Sequence, residues 1–494
     1  MSGPVENETL ALLHELSSSL AGTAHADELK SIEERLTGPL RIAIAGRVKA
    51  GKSTLLNALV GSRLAPTDAG ECTKIVSWYR NGPIYRVDAQ LHTGDRRQLT
   101  FTRHEDSLDI DLGDLAEADV AYLDIQWPSS KLRRLTLIDT PGLESLNDEN
   151  SRRTRDFLEI ESSGSGSDVD AVIYLMRHLH LTDVAFLDAF MDRSVPESSP
   201  VNSVAVLSRA DEIGSGRLDA MDSANRIAER YRTSDEVRVL ASTVLPVAGL
   251  LAETGLTLRE DETAALRTIA EMDSAEREMM VLSAKHFLDV GTSELTVEQR
   301  RDLLGRLGMF GVRRAIYEIN RGADTASSLA PRLTEVSGLA ALNDVIEQQL
   351  MPRSRVLQSR AALTSLRDLG DRLAGVRDEV RERIEREVER IESTAIEFAQ
   401  VRGAHLVASG MAKISDIDRL PLERLLLDAP APGALGLADN ASDQDIMAAA
   451  GMAASAWRGR ANDLLAGVTE TEVFEAAART AESMYASAQG RSTS

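Results

Sequence analysis

The stretch 42-IAIAGRVKAGKSTLLNAL-59 decides the fold. Four apolar or small residues, Ile42 to Ala45, read as a buried strand, and from Lys52 onward the spacing is helical. Between them, Gly46 to Ser53 matches the phosphate-loop pattern of two glycines with four residues between them, followed by Lys and Ser. Chemistry explains the pattern: the glycines let successive backbone N–H groups turn toward a phosphate chain, a lysine reaches the β- and γ-phosphates, and a hydroxyl ligates Mg²⁺. Gly46, Lys49, Ala50, Gly51, Lys52, Ser53 and Thr54 therefore form the expected cradle, with Lys52 on the phosphates and Ser53 on the metal.

A second motif, 135-LTLIDTPGL-143, ends an apolar strand in Asp139, where such a fold places an acid that holds Mg²⁺ through water. Gly142 is then placed to turn its N–H to the γ-phosphate. Between the two motifs, 65-APTDAGECTKI-75 offers a switch threonine. Thr73 is favoured as metal ligand and catalytic group because an apolar strand follows it directly, and Thr67 is the competitor. Base choice rests on 206-VLSRAD-211. In the guanine-reading pattern Asn/Thr-Lys-x-Asp, the Asp accepts from the guanine N1 and N2 donors. Asp211 keeps that role, whereas Ser208 and Arg209 depart from the pattern, and the aliphatic stem of Arg209 would lie against the base. The segment 245-LPVAGLLAETG-255 falls where a base-contacting loop is expected. His178 and His180 lack a third ligand nearby and read as a loop.

With 494 residues the chain is expected to form two or three domains. Aromatic residues are 4% and charged residues 27%, which favours long, surface-rich helices. A formal net charge of -22 repels nucleic acid and anionic lipid at long range, so no nucleic-acid partner is expected. Cys72, the single cysteine, excludes an internal disulfide and a cysteine zinc site. The N-terminus has no secretory pattern, and no run of 18 apolar residues occurs, so a soluble cytoplasmic chain is expected.

Short β-rich runs alternate with helical patterns from about 41 to 250, which predicts a mostly parallel sheet with helices on both faces, with a hairpin at Asn81-Gly82. Beyond 255 the texture is helical. Apolar residues from Leu366 to Phe398 recur every three, four or seven positions between Arg and Glu, predicting a rod over 361–400 of roughly 60 Å at 1.5 Å per residue. A second long helix is expected from Ser442 to about Tyr485. The Pro- and Gly-rich segment 420–440 then becomes the tip of a hairpin, with Leu425, Leu426, Leu427, Leu435 and Leu437 as candidate membrane anchors. The expected division is N-terminal helices packing with the trunk over 1–37, a nucleotide-binding domain over 38–352 and a helical trunk over 353–494, with Arg353, Arg355 and Arg360 near the hinge.

In this order the motifs resemble those of translation-factor-class GTPases, and with the helical second half they are most similar to bacterial dynamin-like proteins. "IAIAGRVKAGKSTLLNALVG", "ECTKIVSWYRNG", "LIDTPGL" and "LSRADEIG" resemble the isoniazid-inducible dynamin-like proteins of mycobacteria. "SGLAALNDVIEQQL" at 337–350 reads as the closing helix of the GTPase domain. The resemblance implies an α/β phosphate-loop GTPase domain on an elongated all-α trunk, GTP/GDP and Mg²⁺ as cofactors, and Mg-dependent hydrolysis of GTP coupled to membrane binding and to remodelling or repair. It further implies nucleotide-dependent self-association through the GTPase heads, a possible paralogous partner, and a peripheral place on the inner face of the plasma membrane. One departure stands out. Dynamins carry a water-orienting Gln and then a cation-holding Ser where this chain has Val48 and Lys49, so the Lys49 ammonium would supply the compensating charge, or Arg47 would do so across a head-to-head dimer. Two alternatives stay open at this point: a GTP-gated membrane scaffold with little hydrolysis, and a soluble regulatory or ribosome-assembly GTPase.

Overall fold

The computed structural model describes residues 4–65, 75–103, 108–141, 169–178, 202–238, 240–289, 294–373, 375–427 and 431–492. Among the described residues, ten strands form one sheet: β1 (Leu40–Gly46), β2 (Ser77–Asn81), β3 (Arg86–Leu91), β4 (Arg96–Arg103), β5 (Leu108–Asp111), β6 (Val120–Trp127), β7 (Leu135–Asp139), β8 (Ala171–Met176), β9 (Ser203–Ser208) and β10 (Thr243–Val247). Their spatial order is β10-β9-β8-β1-β7-β2-β6-β3-β4-β5. The half from β10 to β7 is parallel throughout, whereas β2 turns antiparallel to β7, and β3, β4 and β5 pair antiparallel at the far edge.

Helices cover both faces of the parallel half, which is why its strands are apolar at every position. In β1, Ile42 and Ile44 belong to a core on one face, and Ala43 and Ala45 to a second core on the other. The first core takes in α3 (Lys52–Val60), together with Leu339 and Leu342 of the closing helix α6 (Leu339–Val345). The hairpin expected at Asn81-Gly82 does not form. β6 lies between β2 and β3, and Gly82 donates its N–H to the Trp127 carbonyl. The turn that does join neighbours lies between β3 and β4, where Gly94 at φ 91° follows Thr93.

Past β10 no strand occurs among the described residues. A helical cap that includes α5 (Val297–Ile319) buries Phe287, Leu307 and Phe310 in a core of its own against the sheet domain. At the end of α6 the chain runs through one π-helical turn, Ile346–Leu350, directly into α7 (Met351–Arg372).

The trunk differs from the sequence expectation in two places. The predicted continuous rod over 361–400 is a folded hairpin: α7 stops at Arg372, the chain turns at Gly375 (φ 74°), and α8 (Asp378–Thr394) returns. Leu366 and Leu369 of α7 and Ile384, Val388 and Ile391 of α8 share a core with Leu12, Leu13 and Leu16 of α1 (Pro4–Ser19) and Leu29 and Leu36 of α2 (Ala26–Thr37). An apolar seam at helical spacing satisfies a straight coiled coil and a bent four-helix packing equally, and here the positive-φ glycine decides. The chain then bends at Ala395 into α9 (Ile396–Ala408).

The second difference concerns the tip. α11 (Asp443–Ala461), capped by Ser442, and α12 (Val468–Ser492) form an antiparallel pair, so the expected long helix from 442 to 485 is broken at 462–467. Asn462, Asp463 and Gly467 supply the interruption. The segment 420–440 is therefore not the end of a hairpin. α10 (Asp416–Leu427) folds against α9 and α12, and Leu425 and Leu426 are buried with Trp457 and Phe474, whose rings stack 5.9 Å apart.

A candidate guanine nucleotide site

The phosphate loop is shaped by three residues in left-handed or strained backbone. At Gly46 φ is 146°, and a Cβ there would lie 2.4 Å from the Leu175 carbonyl oxygen, so no side chain fits. Lys49 follows at φ 62° and Gly51 at φ 94°, the latter just before α3. A non-glycine residue held in that region costs about 1–3 kcal/mol, which the surrounding turn must impose. The loop leaves Lys49 exposed at its rim, whereas Lys52 is buried. The Lys52 ammonium donates to the Gly46 carbonyl at 3.2 Å and the Arg47 carbonyl at 3.4 Å, which holds it inside the curve of the loop. Ala50, Gly51 and Thr54 line the adjoining pocket.

β1 and β7 pair in register, Ile44 opposite Asp139, and Thr140 locks the strand end by donating its hydroxyl to the Ile44 carbonyl at 3.0 Å. That register brings the fully buried Asp139 beneath the start of α3, where the Ser53 hydroxyl donates to Asp139 Oδ2 at 2.9 Å. A hydroxyl and a carboxylate converging at the helix start are the hard oxygen donors that Mg²⁺ prefers, so the residues fit that ion. When bound, it would neutralise charge on the β- and γ-phosphate oxygens. At the other end of α3, Asn57 accepts from the Leu64 and Ala65 N–H groups at 2.9 and 2.8 Å, which fixes how the chain leaves the helix toward the switch segment.

A pocket of about 270 Å³ opens between the phosphate loop and the ends of β9 and β10. Asp211 lines it, and burial pushes its carboxyl up to about 6, with the Glu212 carboxylate acting in the same direction. Ser208, in place of the usual Asn or Thr, donates to the Met176 carbonyl at 3.2 Å and so ties β9 to β8. Arg209 adopts φ 52° and donates to Glu212 at 2.7 Å, and Arg177 holds the other oxygen of the same carboxylate. Arg209 and the Glu212 carboxylate that holds it both line the pocket. Val247, Gly249 and Leu250, from the expected base-contacting loop, complete that wall.

The sequence reading missed one wall. Helix α5 breaks at Gly308, with φ 62° and ψ 176°, and Gly305 lines the pocket beside it. A Cβ on Gly308 would stand 3.5 Å from Asp211 Oδ2. The break is anchored from both sides. Arg306 donates to Glu262 at 2.7 Å and to the Thr257 carbonyl at 3.0 Å, and Arg313 donates to the Val281, Leu282 and Ser215 carbonyls at 2.8–2.9 Å. The only available signal was a run of glycines, 305, 308 and 311, inside a helical pattern.

Thr73, its competitor Thr67, Gly142, Cys72 and His180 lie outside the described residues. His178 is exposed just beyond β8. Among the proposed membrane anchors, Leu426 is buried, Leu435 packs partly buried against the same trunk core, Leu437 is half-buried, and Leu427 faces a cavity at the base of the trunk.

A phosphate loop, an acid at the end of the next strand, a buried carboxylate at the base end and a trunk of long helices define a class that the comparisons confirm: the chain belongs to the dynamin family, as a bacterial dynamin-like GTP hydrolase. The family model described as the dynamin family matches residues 42–183. Over 468 residues the chain is 38% identical to the isoniazid-induced protein IniC of Mycobacterium tuberculosis (strain H37Rv), covering 94% of this chain and 93% of that protein. It is also 30% identical over 151 residues to a bacterial dynamin-like protein of Nostoc punctiforme, covering 28% of this chain and 20% of the other. A solved structure described as an oligomerised bacterial dynamin pair that senses and tethers membranes aligns over 94% of this chain and 61% of its own, at 16% identity and a TM-score of 0.31.

Proposed function

We propose that this GTPase couples Mg-dependent GTP hydrolysis to the binding and remodelling or repair of a phospholipid membrane. It would act as a peripheral protein on the inner face of the plasma membrane, self-associating through its heads and open to a paralogous partner. The observation that carries the membrane contact is the end of the trunk hairpin. In the loop between α11 and α12, Leu464 is 99% exposed and Leu465 93%, and Val468, the first residue of α12, is 87% exposed. Ile417, 85% exposed, and Met411 stand beside them. The neighbourhood is fixed by the Asp418–Arg460 ion pair, by Lys413 N–H donating to Glu470 at 2.8 Å, and by Thr469 donating to the Met411 carbonyl at 3.3 Å.

Large apolar side chains gathered at one end of a helical rod are unfavourable in water and signal a surface that is covered in use. No described helix is long and apolar enough to cross a bilayer, so insertion would be shallow. Each leucine buried in lipid contributes roughly 1.5–3 kcal/mol, so three together suffice for reversible binding, and several trunks on one oligomer multiply it. A net charge of -22 repels anionic lipid at long range, which again favours local insertion.

The test is the full chain carrying Leu464→Ser, Leu465→Ser and Val468→Ser. Co-sedimentation with liposomes of mixed phosphatidylglycerol and cardiolipin should fall at least tenfold, while melting temperature and GTP turnover in solution stay as in the unmodified protein. Unchanged pelleting would remove this loop from the account.

A further inference from the structure

Where the head meets the trunk, a second cavity of about 590 Å³ lies between α4 (Ala220–Arg232) with β10 on one side and α9 with α10 on the other. The π-helical turn 346–350 and the start of α7 form its back wall, through Gln348, Gln349 and Arg353. Three guanidinium groups line it, each from a different part of the molecule: Arg232 from the head, Arg353 from the connecting helix and Arg419 from the trunk. Against them stands one lining carboxylate, Glu229, and it is already held by Arg232 at 2.8 Å. Among the described residues, the Arg419 guanidinium donates only to the Val407 carbonyl, at 3.4 Å.

The Arg353 side chain makes no hydrogen bond or ion pair with any other residue among those described, and partial burial pulls its guanidinium down to about 10. A half-buried guanidinium without a partner keeps only part of its hydration, so a counter-charge arriving from elsewhere would be favoured there. His405 also faces the cavity, and burial together with Arg402 lowers it to about 4, so at neutral pH its uncharged ring can donate one hydrogen bond. Val237, Val244, Ala408 and Leu427 supply apolar lining.

We propose that this hinge cavity binds a soluble organic phosphate with at least two negative charges, which bridges Arg232, Arg353 and Arg419 and so clamps the trunk against the head. Arginine forks suit phosphate oxygens, the apolar lining suits the organic part, and the volume exceeds what inorganic phosphate alone would fill. A ligand that touches head, connector and trunk together binds only the arrangement in which the three converge. It therefore biases the molecule toward that arrangement by its differential affinity. The π-turn at the connector is of a kind that occurs frequently at functional sites.

The experiment titrates the full chain, its phosphate loop saturated with GDP and Mg²⁺, with fructose 1,6-bisphosphate and with inositol hexakisphosphate by calorimetry at 0.15 M salt. One equivalent of at least one of the two should bind, and Arg353→Gln and Arg419→Gln should each weaken it at least tenfold, whereas Arg353→Lys should weaken it less. GDP affinity and basal GTP turnover should not change in any of the three, because none of these residues belongs to the nucleotide site. Binding of neither probe overturns the proposal. So does binding that both Gln variants retain while their melting temperatures stay normal. A Gln variant that melts early is replaced by Arg353→Lys and Arg419→Lys, and full affinity in both of those is likewise contrary to it.

Discussion

The nucleotide pocket and the trunk tip place polarity in opposite ways. In the head, polar groups are taken out of water and held: Lys52 within its loop, Asp139 beneath Ser53, Asp211 behind the break in α5. At the tip, apolar groups are put into water and left there, with Leu464 and Leu465 almost fully exposed. Each region is unfavourable for the isolated molecule and would become favourable when its ligand arrives, a nucleotide at one end and, under the proposed function, a membrane at the other. Stability is supplied by what lies between, the sheet cores and the bundle of α1, α2, α7 and α8. Ion pairs such as Arg390–Glu8, at 2.9 Å and half exposed, add little to that bundle, since exposed pairs contribute about 0–1 kcal/mol.

If the buried polar groups of the head serve the nucleotide, the largest effect comes from Lys52→Ala. GTP affinity should drop by about three orders of magnitude, which is roughly 4 kcal/mol at 1.36 kcal/mol per tenfold, with the melting temperature of the apo chain little changed. Calorimetric titration with GTP checks it. Next is the structural middle: Leu366→Ala should cost about 2–5 kcal/mol of stability, read by denaturant unfolding, and leave nucleotide affinity intact.

Asp211 gives a pH test. Its carboxyl must be ionised to accept from guanine, and it is raised to about 6 in the empty pocket. GTP affinity should therefore be level above pH 6 and fall about tenfold per unit below it, because each unit of protonation must be reversed at about 1.36 kcal/mol. Stability of the apo chain should change with the opposite sign, since a carboxyl raised on folding makes the fold less stable as pH climbs from about 4 to about 6. Asp211→Asn should flatten both dependences and shift preference toward the xanthine nucleotide, whose O2 accepts from an amide. The smallest effect is the rim lysine. If Lys49 supplies the compensating charge, turnover should be equal in Na⁺ and K⁺ buffers, and Lys49→Ser should slow it about tenfold, or 1.4 kcal/mol. Strong activation of the unmodified protein by K⁺ would remove Lys49 from that role.

The head was legible because its signals are local and each demands a particular residue type. Glycines at 46 and 51, Lys52, Ser53, Asp139 and Asp211 can be placed without knowing what packs where. What the head concealed were long-range choices. β6 inserts between β2 and β3 and defeats the hairpin signal of Asn81-Gly82, and the cap helix α5 comes back over Asp211 from nearly a hundred residues away. In the trunk nearly everything is long-range. The leucines of 425–427 and the leucines of 464–465 look alike in sequence, both lying near helix breakers. Only packing distinguishes them: Gly403, whose Cβ would meet Leu426 Cδ1 at 3.2 Å, makes room for one set, and nothing among the described residues covers the other.

The distinction between the leucines of the 420–440 segment, Leu437 among them, and those of 464–465 tests the account most directly. An environment-sensitive fluorophore is placed at Leu465→Cys or, separately, at Leu437→Cys, in a Cys72→Ser background whose GTP turnover is first shown to be intact. Each labelled chain is then mixed with liposomes containing brominated lipid. The account predicts a blue shift and strong quenching at 465, and neither at 437. Quenching at 437 with none at 465, or membrane binding that leaves both labels in water, would contradict it.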